Sequence, residues 1–306
     1  MNVKRIVSFL PSATELLYEL GADHMIYGVT HECNYPPEAS KKPRMISSTF
    51  DSEKLNSSEI DTMTCNLLKE GKDIFKLNEQ ALLNANPDLI ISQTTCEVCA
   101  AHTNQVEKAV QILPKKPIIH SMDPHTLTEI ISSISDITKI IGCEEKGKKL
   151  QKKLQNDIEQ VKVTVGHKPK ILAIEWIKPF FTAGHWVPEM IQTAGGENII
   201  SKPGEHSRKI TIHEIMESDP DMIIIMPCGL DLPRTLKEYQ KFLEDDKNWK
   251  QLRAVKDGNV FLVDADSYFS KPSIRTITGV QILAKIIHPE IFKLMSVPKN
   301  AFLQMK

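Results

Sequence analysis

A short pattern that occurs twice limits this chain more than any other feature. Leu77-Asn78-Glu79, running on to Asn86-Pro87-Asp88-Leu89-Ile90-Ile91, is echoed by Ile212-His213-Glu214, running on to Asp219-Pro220-Asp221-Met222-Ile223-Ile224. Each copy sets a Glu early in a short helical stretch, then Pro-Asp, then an apolar run. Proline cannot continue a helix. A run that is apolar on both faces is a strand buried between layers, as in parallel sheets covered by helices. With 306 residues and roughly 100–200 residues per domain, the repeat predicts an α/β protein of two similar Rossmann-like lobes.

The rest of the chain fills in around the repeat. Strands are expected at 6–10, 26–30, weakly at 44–46, at 88–92 and at 118–121. Ser12, with Glu15 three residues on, reads as a capping box opening a helix that Gly21 stops. Helices between strands imply parallel pairing through helical crossovers. Asp123-Pro124 opens a helical stretch that reaches Val165, with Gly142 as its point of kink or break. The second half is Lys-rich, with Leu150, Leu154, Ile158 and Val161 as a narrow apolar stripe. Such a stripe suits a helix lying over a surface or bridging two lobes. A second set of strands is expected at 171–176, 180–183, 221–226 and 260–263, with helices at 187–194, after Thr211, at 234–245 and at 273–287. The predicted division is a lobe at 1–122, a bridging helix at 123–167 and a second lobe at 168–306.

Composition excludes some functions. Lys and Arg total 38 against 39 Asp and Glu, a net charge of −1, so a strongly basic nucleic-acid binder is ruled out. Mean hydropathy is −0.24, and no apolar run approaches the ~20 residues of a membrane helix. The first residues lack the basic start, long apolar core and cleavage site of a secretory signal. The expected location is therefore cytoplasmic as written, and extracytoplasmic if a native signal has been removed. Six cysteines in a chain this long do not suggest a disulfide scaffold. No catalytic triad, nucleophile elbow or phosphate loop is recognisable.

Several segments taken in order resemble a known family. Phe9-Leu10-Pro11-Ser12-Ala13-Thr14-Glu15-Leu16, Gly28-Val29-Thr30 with Tyr35-Pro36-Pro37, and the doubled Pro-Asp motif are similar to the substrate-binding proteins of cobalamin and iron-chelate importers. Pro179-Phe180-Phe181-Thr182-Ala183-Gly184 and Gly195-Gly196-Glu197-Asn198-Ile199 resemble the corrinoid-binding branch in particular. The resemblance implies two lobes bridged by one long helix, a small-molecule ligand in the cleft between them, and a monomer. It also implies that one Glu per lobe, here Glu79 and Glu214, docks on arginines of an ABC permease if the chain is exported. Without a family role, both are first-turn glutamates favoured by the helix dipole.

Three segments are richer in reactive groups than that family pattern: His31-Glu32-Cys33, Cys96-Glu97-Val98-Cys99, and Gly184-His185-Trp186-Val187-Pro188-Glu189. Each follows the carboxyl end of an expected strand, where open α/β sheets place their ligands, and convergence on one cleft is expected. Cys33, Cys96, Cys99 and His185 are candidate ligands for zinc or iron. Cys96 and Cys99 also have the spacing of a redox pair. His185 and Glu189 are expected to share a face. His31 or His185 is a candidate axial ligand for the cobalt of a corrinoid. Burial and stacking of such a ligand call for aromatic walls, and Trp176, Trp186, Phe180, Tyr268 and Phe269 are the candidates. Glu175 ends a buried strand and must be paired or protonated, with Arg275 as its expected counter-charge. The resulting expectation is a binding protein for a cobalamin-like corrinoid or metal chelate, with His31, Glu32, Glu175, Trp176, His185, Trp186, Glu189, Tyr268 and Phe269 as contacts. The alternative is a cytoplasmic metal- or thiol-dependent enzyme or metal-handling protein on the same scaffold.

Overall fold

Strand β1 (Ile6–Ser8), wholly buried, runs parallel to β2 (Ile26–Thr30) on one side and β5 (Leu89–Gln93) on the other. The computed structural model from which this follows describes residues 3–94, 103–162 and 168–305. They fall into two compact units. One holds Met1–Leu55, Thr62–Pro124 and Ile130–Gln151; the other holds Asn56–Asp61, His125–Glu129 and Lys152–Lys306.

In the first unit, α1 (Pro11–Glu19) leads from β1 towards β2, and β3 (Arg44–Ser48), α2 (Ser57–Lys69), β4 (Phe75–Leu77), α3 (Glu79–Ala85), α4 (Thr103–Ile112) and β6 (Ile118–Met122) complete the alternation. The sheet order is β4-β3-β2-β1-β5-β6, parallel except for the edge strand β4. The expected cap at Ser12 is displaced. Leu10 occupies the N-cap, Pro11 takes the first helical position, and Ser12 is buried within the helix. Proline's fixed φ suits that position, where its missing N–H costs nothing.

The region expected as one bridging helix is a helical hairpin in its first part. Helix α5 (Leu127–Ile141) ends at Gly142, whose φ of +71° is left-handed, and α6 (Glu144–Glu159) folds back. A Cβ on Gly147 would lie 2.7 Å from Thr138 side-chain atoms, so its absence lets the helices approach. Gln151 accepts from Ser135 Oγ at 3.1 Å and donates to the Ile131 carbonyl at 2.8 Å.

The second unit carries β7 (Lys170–Trp176), β8 (Phe181–Thr182), α7 (Val187–Thr193), β9 (Glu197–Asn198), α8 (Ile212–Ser218), β10 (Met222–Ile225), α9 (Leu232–Phe242), α10 (Arg253–Lys256), β11 (Val260–Val263), α11 (Ala265–Tyr268), α12 (Thr276–Ile287) and β12 (Phe302–Met305). Its sheet order is β12-β11-β10-β7-β8, with β9 also on β7. β12 and β8 are antiparallel to their neighbours. Fully buried Trp249 anchors the core, with Phe180 stacked at 6.0 Å and Tyr239 edge-on at 6.4 Å between ring centroids.

The sequence repeat is a structural repeat. Helices α3 and α8 each have seven residues and each ends in a left-handed residue, Asn86 or Asp219, with φ 39°. The following Pro-Asp has a job in both units. Asp88 accepts the backbone N–H of Lys4 (3.1 Å) and Arg5 (3.2 Å), and Asp221 that of Lys170 (2.7 Å). Each aspartate therefore ties its own strand to the start of the adjoining parallel one. When the helices are superposed on their caps, however, the glutamates fall out of step. Glu79 is the first residue of α3, and Glu214 the third of α8.

Candidate functional site

The first unit gathers His31, Glu32 and Cys33 directly after β2. The His31 backbone N–H donates to the Ile46 carbonyl at 3.0 Å, which fixes the turn against β3. The ring lies 5.9 Å from that of Phe75, and burial lowers its pKa, against the pull of the Ile46 carbonyl. Glu32 is half-buried, and its N–H donates to Thr30 Oγ1. Cys33 is buried, with Sγ 3.2 Å from Thr14 Oγ1 and 3.3 Å from Thr30 Oγ1. Burial pushes its thiol pKa up. A thiol held protonated in this way is unreactive, and its described surroundings fit a structural role. Cys96 and Cys99 lie outside the described residues. Glu79 stands exposed behind its N-cap Asn78, whose side chain accepts from Ala81 N at 3.0 Å.

In the second unit, Glu175 sits near the end of β7 with part of its surface accessible, although protein packs densely around it. That burial raises its pKa, opposed by hydrogen bonds from Ser207 and from the Gly184 N–H at 3.3 Å. Arg275, its expected partner, lies over the Tyr268 ring at 5.9 Å. Trp176 is half-buried and donates its indole N–H to the Ser57 carbonyl at 3.2 Å. Trp186 and Phe269 face the interior, 6 % and 3 % exposed, and the Trp186 indole donates to the Phe269 carbonyl at 2.9 Å. Phe180 packs on the core around Trp249. Of the aromatic candidates, Trp186 and Phe269 are buried, Phe180 is partly exposed but packs on the core, and Trp176 and Tyr268 keep accessible surface.

His185 and Glu189 both face the segment that opens α5. Glu189 accepts from Leu127 N at 2.6 Å and Thr128 Oγ1 at 3.1 Å, which places a carboxylate on an unpaired helix N-terminus. His185 Nδ1 lies 3.2 Å from His125 Nδ1. A third imidazole, His206, stands edge-on to both, with ring centroids 4.9 Å from His185 and 5.4 Å from His125. Among the described residues, these three form the group of possible metal ligands, their ligand atoms all within 4.8 Å of one another. Sequence reasoning found His185 and missed His125 and His206. Each is a lone His in a loop, and no spacing links them. Glu214 is engaged locally: Thr211 and Glu214 close a capping box, and Arg208 donates to Glu214 at 2.8 Å.

Comparison with known proteins supplies the context. The periplasmic binding protein family matches residues 6–267. An uncharacterised ABC transporter substrate-binding lipoprotein of Bacillus subtilis, YvrC, is 25 % identical over 299 residues, spanning 95 % of this chain and 82 % of that one. The vitamin B12-binding protein of Vibrio cholerae is 21 % identical over 282 residues, 91 % of this chain and 87 % of that one. The crystal structure of the periplasmic vitamin B12 binding protein BtuF of Vibrio cholerae superposes with a TM-score of 0.66 at 21 % identity, covering 93 % of this chain and 96 % of that chain. IsdE of S. aureus, solved with heme, gives a TM-score of 0.69 at 17 % identity, covering 93 % and 98 %. At such identities the superpositions establish the fold.

Proposed function

The chain belongs to the periplasmic binding protein family, and from that premise we propose that it is the binding component of an ABC importer for a cobalamin-like corrinoid. The observation that carries this reading is the near end-to-end match to vitamin B12-binding proteins, 91 % of this chain. The mode of action is reversible capture, with no chemical step. A corrinoid buries large apolar faces, at about 25 cal/mol per Å², and a few polar groups orient it. The proposed contacts are His31 and Glu32 from the first unit and Glu175, Trp176 and Tyr268 from the second. Trp176 suits stacking because its indole N–H is already satisfied, which leaves the ring face as its offering. The reading implies work outside the membrane beside a permease. Among the described residues no helix is long and apolar enough to cross a bilayer. The comparisons give no support to a metal- or thiol-dependent enzyme, because the relatives named above are binding or uptake proteins.

Calorimetry and visible absorption with cyanocobalamin test the proposal. The expected result is 1:1 binding that weakens about tenfold or more in Trp176→Ala, since one buried aromatic contact is worth a few kcal/mol. Absence of cyanocobalamin binding alongside tight binding of hemin would assign the chain to the other tetrapyrrole class and overturn the corrinoid reading.

A further inference from the structure

We propose that His125, His185 and His206 form a binding site for a divalent transition-metal ion of the zinc class, with three imidazole ligands and a fourth position open. The site lies wholly within the second unit and does not depend on the corrinoid reading.

The geometry carries the argument. Two ligands at the ~2.0–2.1 Å of a zinc–nitrogen bond, set at a tetrahedral angle, stand about 3.3 Å apart. His125 Nδ1 and His185 Nδ1 are 3.2 Å apart. The third imidazole keeps a ligand atom within 4.8 Å of the other two, a gap that rotation of an exposed side chain closes. Its ring stands at 86° to His185 and 81° to His125, so it meets both edge-on and stacks on neither. A hydrogen-bonded histidine pair would account for two imidazoles but gives no reason for the third.

The backbone holds all three histidines from behind. His185 adopts a left-handed conformation, φ +53°, which costs free energy for a residue bearing a Cβ and tends to occur at functional positions. Its N–H donates to the Glu205 carbonyl at 2.6 Å, and its carbonyl accepts from Gly204 N at 2.9 Å. The adjoining Gly184 has no room for a side chain. A Cβ there would lie 2.4 Å from Ser207 N and 2.7 Å from the Glu205 carbonyl oxygen. This close approach sets His206 beside His185. On the other side, the His125 N–H donates to Glu129 at 2.7 Å, and Glu189 clamps Leu127 and Thr128. Three loops therefore converge through fixed backbone contacts, the supporting shell a metal site requires.

The donor set fixes the class of ion. Neutral imidazole suits zinc, copper, nickel and iron, whereas magnesium and calcium need oxygen ligands. Three neutral ligands leave the ion's double charge uncompensated and its fourth position free for water or an oxygen or nitrogen donor.

The test uses the tag-free full chain. Zinc chloride titrated by calorimetry, and cobalt(II) by its visible absorption, should show one ion per chain. His125→Ala and His206→Ala should each weaken zinc binding tenfold or more and remove the rise in Tm that zinc gives, with Tm in chelator unchanged for exposed His206→Ala. Zinc affinity equal in wild type and both variants overturns the site. So does zinc binding that survives in them but disappears in Cys96→Ser/Cys99→Ser. Cyanocobalamin titrated into the wild-type chain separates the two readings: corrinoid binding by a wild-type chain that takes up no zinc defeats only this proposal, and the converse defeats only the corrinoid one.

Discussion

His31 and His120 are half-buried imidazoles whose pKa values burial holds below the ordinary 6.5. A depressed imidazole takes up its proton less readily in the folded chain than in the unfolded one. As pH falls below about 6.5, the unfolded state therefore binds more protons and gains stability. The stability is complete above that pH and is lost as acidification approaches the folded pKa. His31→Asn should flatten the Tm profile between about pH 7 and 5, and His31→Asn/His120→Asn should flatten it further. A profile identical to wild type in the double variant would locate the acid sensitivity elsewhere. At this scale the sequence names the residue types but not their surroundings. Trp186 and Phe269 read as ligand contacts and Cys33 as a metal ligand because of the segments they sit in, and the fold buries all three, where an indole N–H or a thiol finds a carbonyl or a hydroxyl.

Among elements, the turn that carries His185 and the start of α5 depend on two small features. Gly184→Ala would press a Cβ into the backbone of the loop bearing His206. Backbone cannot rotate away as a side-chain tip does, so a loss of about 2–3 kcal/mol is expected, read as a fall in the urea midpoint, together with weaker zinc binding. Glu189→Ala would free Leu127 N and Thr128 and remove a carboxylate from the N-terminus of α5. Loss of such a cap costs about 1–2 kcal/mol. A variant as stable as wild type would show that the cap is not needed. The sequence placed most of these elements, because apolar runs, Pro and Gly mark strands and helix ends directly. It missed α2, α4, β4, β12 and the short β9, α10 and α11. Helix α2 has only one fully buried residue, Ser57, and so lacks a clear apolar stripe. The edge strands β4 and β12 are short, three and four residues, and neither shows a regular alternation of buried and exposed positions.

For the molecule as a whole, the family resemblance implies docking on a permease through one glutamate per lobe. Glu79 is exposed with its helix capped independently by Asn78, whereas Glu214 closes a capping box and pairs with Arg208. Glu79→Ala should abolish stimulation of transport and leave Tm unchanged. Glu214→Ala should abolish it while also lowering Tm, because it opens the capping box with Thr211. Full transport by the double variant would remove docking from the proposal. The sequence by itself determined two α/β lobes, because each Pro-Asp followed by an unbroken apolar run has no stable place except a buried parallel strand. Only tertiary structure decided that α5 and α6 fold back at Gly142 and that His125, His185 and His206 meet. Those outcomes depend on long-range approach of one backbone to another, such as the 205–207 loop lying against Gly184. Local spacing along a chain carries no record of which distant loop will fill a gap left by a missing Cβ.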